Sequence, residues 1–211
     1  CTTEWALWVR ESVRAWDGAT TVPSAVSNCM TTANYQPGTD VIMLRYAGSD
    51  VVGDPISATP PTLDATRWYM LADTGRAARL FTGGSGIPSL GPQAGQRRLT
   101  TFNAELFWIR RCSDPGADNN CGTSDDGDSP GIPTLMRGFL DGNGRWTTEP
   151  VAEGIEQVQY EFRVMGREWV NASTVGDWGN VTGVRISALM RSGQFDSGFP
   201  ADTDTYNLSQ D

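Results

Sequence analysis

The side chains of this sequence with the widest chemical use are carboxylates, tryptophans and cysteines. The 211-residue chain contains no His, and every one of its 16 basic residues is Arg. Without His it has no Ser-His-Asp or Cys-His catalytic set and no histidine-ligated zinc. Without Lys it has no phosphate-loop lysine and no Schiff base. The composition therefore excludes most of the common catalytic mechanisms.

Paired carboxylates leave one class of enzyme open. Glu153 and Glu156 lie close in sequence, and the chain is rich in Trp. A glycoside hydrolase needs two carboxyl groups about 5–10 Å apart in a cleft, usually beside aromatic rings. Core packing explains Trp5, Trp16, Trp108 and Trp178 equally well. A secreted carbohydrate-binding or glycoside-hydrolase-like β domain is thus the alternative to a chain that is not an enzyme.

The cysteines predict disulfides and an oxidising compartment. Cys1, Cys29, Cys112 and Cys121 contain no Cys-x-x-Cys spacing, which argues against a zinc ribbon or a thioredoxin-type site. Four cysteines allow three pairings. We favour Cys1–Cys29 with Cys112–Cys121, because the second pair flanks a short polar loop. Such bridges place the chain outside the cytoplasm.

Charge argues against a partner rich in phosphate. The formal net charge is −9, so the average surface repels nucleic acid. We interpret the basic pairs Arg97–Arg98 and Arg110–Arg111 as solvated strand ends. An acidic cluster could bind calcium, but acidic Gly-rich loops are common turns, so we predict no metal and no cofactor. The cluster comprises Asp114, Asp118, Asp125, Asp126 and Asp128.

The distribution of apolar residues predicts a mainly β fold with antiparallel strands. Short apolar runs alternate with turn residues, and the 24 Gly and 12 Pro leave little room for long helices. Residues 3–16 fit either a short helix or an extended segment. DTGR at 73–76 and DGNG at 141–144 predict hairpin turns. The predicted strands cover residues 41–47, 67–72, 78–83, 98–111, 133–140, 145–151, 157–164 and 181–191.

Two of these strands alternate cleanly. Residues 157–164 place Val158, Tyr160, Phe162 and Val164 inward, and residues 181–191 place Val184, Ile186, Ala188 and Met190 on one face. Other strands are apolar on both faces, as in 41–44. The sequence contains no amphipathic helix long enough to cover a sheet face, so we expect something outside it to provide the cover.

Five segments of the sequence are informative when they are read in order. They are PGTDVIMLRYAG (37–48), ELFWIRRC (105–112), GIPTLMRGFL (131–140), VAEGIEQVQYEF (151–162) and WGNVTGVRISALMRS (178–192). Together they resemble the PilW family of type IV minor pilins. The resemblance spans most of the chain, and its weight rests on order and spacing because no single motif is catalytic. A GspJ-like pseudopilin is the nearest variant.

The resemblance implies one pilin-like globular domain over residues 1–211, with an N-terminal helix that belongs before this chain. It implies anchoring in the inner membrane and then a place in the pilus at the cell surface. The implied partners are minor pilins of the PilV, PilX and FimU kinds, the major pilin and a PilY-type tip adhesin. The family usually continues past Tyr206-Asn207-Leu208 with an Arg-rich strand, whereas this sequence stops at Asp211.

Overall fold

The computed structural model describes residues 9, 11–53, 59–74, 77–92, 95–127, 131–141, 143, 145–166 and 168–192. Within these residues the chain forms ten strands and four short 3-10 helices. The 3-10 helices are Ser24–Val26, Gly83–Ser85, Ala172–Thr174 and Trp178–Asn180. The strands are β1 (Val13–Trp16), β2 (Val41–Gly53), β3 (Trp68–Asp73), β4 (Ala77–Thr82), β5 (Arg97–Arg110), β6 (Thr134–Leu140), β7 (Trp146–Glu153), β8 (Ile155–Val164), β9 (Trp169–Asn171) and β10 (Val181–Met190).

The strands form two antiparallel sheets, which confirms the predicted fold class. The first sheet has seven strands, in the order β1-β2-β5-β3-β4, with β6 on the other half of β5 and β7 beyond β6. The second sheet has three strands, in the order β10-β8-β9. Every named pair is antiparallel, so hairpins and loops make the connections.

All eight predicted strands are present, most with boundaries that agree within one or two residues. The exception is β2, which was predicted to end at residue 47 and extends to Gly53. Both predicted hairpins pair as expected, β3 with β4 and β6 with β7. In the ambiguous N-terminal segment, Val13–Trp16 is extended and pairs with β2, while residues 1–8 and 10 lie outside the described residues.

Strand β5 organises the first sheet because both of its faces are buried. Its inner face carries Phe107 and Ile109, which pack with the second sheet. Its outer face carries Leu106 and Trp108, which pack under the loop that contains Val26. The predicted face Phe102, Ala104, Leu106 and Trp108 is confirmed as buried.

A glycine on β6 shows how closely the outer face is packed. A Cβ atom added to Gly138 would lie 2.1 Å from Trp146 Cζ2 and 3.0 Å from Trp108 Cζ3. Glycine is therefore required here because the indole rings lie directly against the strand, and not because of its backbone freedom.

A disulfide-bonded loop follows β5. Cys112 and Cys121 are bonded, with their Cα atoms 5.6 Å apart. Asn34 fixes this loop to the preceding part of the chain, since its Nδ2 donates to the Asn119 carbonyl at 2.8 Å and its Oδ1 accepts from the Cys121 N–H at 2.9 Å. Cys29 is buried, and Cys1 lies outside the described residues, so the Cys1–Cys29 pairing stays a prediction.

Candidate assembly surface

The two long strands of the second sheet share one apolar face, but only one strand has it covered. In the β8–β10 register, Val158 faces Ala188, Tyr160 faces Ile186 and Phe162 faces Val184. Residues directly opposite in an antiparallel pair project to the same side of the sheet. Val158, Tyr160 and Phe162 are 3%, 4% and 0% exposed.

The β10 half of that face is open. Val184, Ile186 and Met190 are 37%, 64% and 69% exposed, and Ala188 is also exposed. We call these four residues the β10 stripe. Large apolar side chains in a contiguous exposed row are typical of interaction surfaces. The prediction that they share a face is confirmed, and nothing among the described residues covers them to the extent that β8 is covered.

The covered half is explained by the way β8 is attached to the first sheet. The Asp40 N–H donates to the Val158 carbonyl at 3.1 Å, and the Tyr160 N–H donates to Asp40 Oδ2 at 2.8 Å. Gln157 Nε2 adds a bond to the Gly38 carbonyl at 2.7 Å. One edge of β8 is thus bonded to the start of β2, and β10 lies on the opposite edge, away from this joint.

Asp40 is a buried carboxylate at the centre of the joint. It is 2% exposed, and its Oδ1 also accepts from the Gly18 N–H at 2.6 Å. Burial raises the pKa of Asp40 to about 6, while the hydrogen bonds from Tyr160 and Gly18 oppose that rise. Asp40 therefore ties β8, β2 and the segment after β1 together, at the cost of burying a carboxyl group.

A polar cluster lies on the inner side of the first sheet, the side that carries Leu44 and Phe107. Arg137 bonds to both Glu105 and Glu149, with 2.9 Å between Arg137 NH1 and Glu149 Oε1. The Tyr46 hydroxyl donates to Glu105 Oε1 at 3.1 Å. The pKa of Arg137 is raised, first by its hydrogen bond to Glu105. We call Tyr46, Glu105, Arg137 and Glu149 the inner-side cluster.

The inner-side cluster borders the core shared by the two sheets. Glu105 is opposite Leu44 on β2, and Arg137 is opposite Phe107 on β5. Leu44 and Phe107 both pack against that core. The inner-side cluster thus lies on the same face of the first sheet as the residues that pack against the second sheet.

The side chains on the other face of β10 contact side chains of β8 and β9. The Arg185 guanidinium lies 4.4 Å from the centre of the Trp169 ring, and its NH1 bonds to Glu161 Oε2 at 3.1 Å. These contacts link β10, β8 and β9 on the side away from the core. The strand is therefore well anchored while its apolar stripe stays open.

The acidic cluster forms a loop in which carboxylates accept hydrogen bonds from the loop itself. Asp125 Oδ2 accepts from the Ala117 and Asp118 N–H groups at 2.8 and 3.2 Å. The hydrogen bond from the Thr123 side chain is the main cause of the lowered pKa of Asp125. Within the described residues no group of three or more His, Cys, Asp or Glu could hold a metal ion. Asp128 lies outside the described residues.

The carboxylate pair considered for hydrolysis is not assembled into a site by the described contacts. Glu156 Oε1 pairs with Arg191 Nε at 3.3 Å, and Glu153 is exposed at the end of β7. Trp108 and Trp178 are buried in the two cores, and Trp16 is partly buried beside one of them. Trp5 lies outside the described residues.

The interpretation of the basic pairs as solvated strand ends is wrong for Arg97. Its Nε lies 3.5 Å from Asp73 Oδ2, and the two side chains are only 11% and 1% exposed. Arg110 Nε donates to the Cys112 carbonyl at 2.8 Å, and Arg111 Nε donates to the Ala33 carbonyl at 2.7 Å. These arginines fix neighbouring segments of the fold.

The site contains residues that sequence patterns did not single out. Asp40 sits in the turn-like stretch PGTD, where an aspartate is ordinarily solvated, and Glu105 and Arg137 look like the exposed positions of strands. The available signal is Glu105, a charged residue in the otherwise apolar β5; its register partner on β6 is Phe139, two residues from Arg137. Without the pairing register, that signal cannot be read.

An open apolar row beside a well-anchored β scaffold is typical of a surface that packs against another polypeptide. The family model for PilW, described as Type IV Pilus-assembly protein W, matches residues 121–211. This match confirms the PilW resemblance over the C-terminal part of the chain, which includes β6 to β10. The GspJ-like variant finds no such support.

The match supports a context of type IV pilus assembly, and PilW is a structural family. No curated protein and no solved structure matches the chain significantly. Among the described residues there is no helix with the length and hydrophobicity needed to span a membrane.

Proposed function

We propose that this chain is the globular part of a minor pilin, a structural component of the type IV pilus tip or of the complex that primes pilus assembly. The chain acts without catalysis, by packing against other polypeptides and forming hydrogen bonds with them. In the cell it is held at the inner membrane before assembly and then exposed on the pilus. Residues 1–211 form a single pilin-like domain in this proposal.

The observation that carries the proposal is the β10 stripe. An exposed row of Val184, Ile186, Ala188 and Met190 continues a face whose other half is buried. Burying apolar surface stabilises by about 25 cal/mol per Å², so the row favours a covering segment. We propose that an apolar helix of the same polypeptide, N-terminal to Cys1, lies along the stripe.

The experiment places a photo-crosslinking amino acid at Ile186 in the full-length protein, expressed in its own cells. Ser187, the next residue, faces the opposite side of β10 and is the matched control. We expect crosslinks from position 186 to the segment that precedes Cys1, and none to that segment from position 187. Mass spectrometry of the crosslinked peptides identifies the contact.

A second measurement tests the assembly context. The full-length protein should co-purify with minor pilins of the PilV, PilX and FimU kinds, with the major pilin or with a PilY-type tip adhesin. An ordinary cleavable signal peptide directly before Cys1, in place of a basic stub and an apolar helix, would contradict the proposal.

A further inference from the structure

We propose that a small cavity on the outer side of the first sheet binds a carboxylate that carries an apolar group of the size of an aromatic ring. The cavity has a volume of about 160 Å³ and is partly open to solvent. It lies between the paired strands β1 and β2 and the 3-10 helix Ser24–Val26. The described residues that line it include no member of the β10 stripe or of the inner-side cluster. The inference therefore goes beyond the proposed function and does not depend on it.

The pairing of β1 with β2 forms one wall of the cavity. Arg14 is opposite Met43 and Trp16 is opposite Val41 in the register, so these side chains project to one side of the sheet. Arg45 follows Met43 by two residues and projects to the same side. Arg14, Trp16, Met43 and Arg45 all line the cavity. The β1–β2 register thus places apolar and basic side chains around one space.

The apolar part of the lining is buried. Met43 and Val26 are 2% and 1% exposed, and both belong to the core cluster that contains Leu106 of the outer face. Trp16 is partly buried and packs against the same cluster. Apolar cavities of about 150 Å³ in protein cores are large enough to bind benzene. The cavity described here therefore accommodates one ring, and the hydrophobic effect favours burial of that ring.

The polar part of the lining contains a buried cation. Arg45 is 5% exposed; its NH1 donates to the Glu11 carbonyl at 2.5 Å, and its NH2 lies 3.2 Å from Met43 Sδ. Burial lowers the pKa of Arg45 to about 10, so the guanidinium remains charged at neutral pH. A charge that is removed from water is weakly screened, so an anion in the cavity interacts with it strongly.

Arg14 adds a second, more exposed cation. Its side chain is 43% exposed, and its NH1 lies 3.1 Å from Glu11 Oε2. Its guanidinium carbon lies 5.9 Å from the centre of the Trp16 ring. The described lining residues thus contain two Arg and one Glu, an excess of one positive charge, in a chain whose net charge is −9. The cavity is a local exception to the acidic average of the chain, and it favours an anion.

Charge and shape together select the class of ligand. A guanidinium offers two parallel N–H groups that match the two oxygens of a carboxylate. Phosphate carries more negative charge than the excess cation balances, and it leaves the apolar wall unfilled. A neutral ring fills the apolar wall but gains little from the arginines. We therefore expect an aromatic or branched aliphatic monocarboxylate to bind more tightly than either.

The test titrates the isotope-labelled 211-residue chain with benzoate and follows the tryptophan indole N–H signals by NMR. We expect the Trp16 signal to shift with a dissociation constant on the order of 1–10 mM, in keeping with the small size of benzoate. Trp178 lies in the core shared by the two sheets, so its signal is the internal reference and should not move. Benzamide has the ring without the charge, and acetate has the charge without the ring. Each should bind at least about tenfold more weakly than benzoate.

Arginine variants locate the charge that the carboxylate contacts. Arg14→Gln removes the exposed cation and should weaken benzoate binding about threefold. Arg163→Gln is the matched control, since it removes the same charge from an exposed position of β8, and it should leave binding unchanged. Arg45→Met should weaken binding by at least about tenfold. If Arg45→Met does not fold, the Arg14→Gln variant and the three probes in the unmodified chain decide the question.

The outcomes separate a carboxylate site from unspecific attraction. A Trp16 shift that requires more benzoate in Arg14→Gln, and not in Arg163→Gln, supports the proposal. The absence of a Trp16 shift at about 50 mM benzoate would overturn it. So would equal shifts of Trp16 and Trp178, equal binding of benzoate and either benzamide or acetate, or the same loss in Arg14→Gln and Arg163→Gln.

Discussion

Strands β8 and β10 are neighbours with nearly the same alternation of apolar and polar residues, yet the apolar face of β8 is buried and that of β10 is exposed. In β8 the face that contains Phe162 is buried, whereas in β10 the face that contains Ile186 is 64% exposed at that residue. The difference comes from position: one edge of β8 is bonded to Asp40 at the start of β2, and β10 lies on the far edge. Alternation defines which residues share a face, and tertiary position decides whether that face is covered.

We expect the largest effect from a substitution on the buried face of β8. Phe162 is 0% exposed and contacts the Trp178 ring edge-on, with 4.9 Å between ring centres. Phe162→Ala should lower the free energy of unfolding by about 3–5 kcal/mol, because it leaves a cavity in the core shared by the two sheets. Val184→Ala, at the directly opposite position of β10, should cost well under about 1 kcal/mol. Urea unfolding of both variants is the measurement, and equal losses would contradict the comparison.

The next effect concerns the joint that distinguishes the two strands. The folded-state pKa of Asp40 is raised to about 6, above its ordinary value, so the folded chain binds this proton more tightly than the unfolded chain does. The contribution of Asp40 to stability should therefore increase as the pH falls from about 7 to about 4, by about 2 kcal/mol.

The measurement is urea unfolding of the unmodified chain and of Asp40→Asn at several pH values. The stability difference between the two should change in favour of the unmodified chain toward acid pH. Other carboxylates contribute equally to both proteins, so the difference isolates Asp40. A difference that stays constant between pH 7 and pH 4 would show that Asp40 is not a desolvated carboxylate.

We expect the smallest effects from substitutions in β10 itself, where the two faces of one strand can be compared. Arg185 bonds to Glu161 and lies over the Trp169 ring, so Arg185→Ala should destabilise the 211-residue chain by about 1 kcal/mol. Ile186→Ala should cost less, about 0.5 kcal/mol, because its side chain is mostly exposed. Thermal unfolding of the two variants gives the order, and a larger loss for Ile186→Ala would mean that the stripe is covered within the chain.

The fold class and most strands could be predicted from the sequence because the alternation of apolar and polar residues is visible within each strand. In β8, Val158 and Tyr160 alternate with Gln157 and Glu161, and that contrast alone predicts which side is buried. The same contrast is present in β10, where it predicts the shared face correctly. It could not predict the exposure of that face, since exposure depends on a joint made by a residue 120 positions away from Tyr160.

Other features were beyond the sequence for related reasons. β9 has only three residues and is ordered by its pairing with β8, so it has no period of its own. The ambiguity of residues 3–16 is resolved only over Val13–Trp16, which pairs with β2. Glu105, Arg137 and Glu149 come from three strands, and their cluster exists only once the β5–β6 and β6–β7 registers are set.

Within the part of the chain that the structure describes, β10 is an edge strand with an exposed apolar face, which has a consequence for the free protein. An exposed apolar row on an edge strand invites pairing with other copies and so favours aggregation. In the function that we propose, the covering segment belongs to the same polypeptide and would meet the row at an effective concentration in the millimolar range, far above that of free copies. A cover tethered in this way would protect the apolar surface as soon as the domain folds, whatever the concentration of the protein.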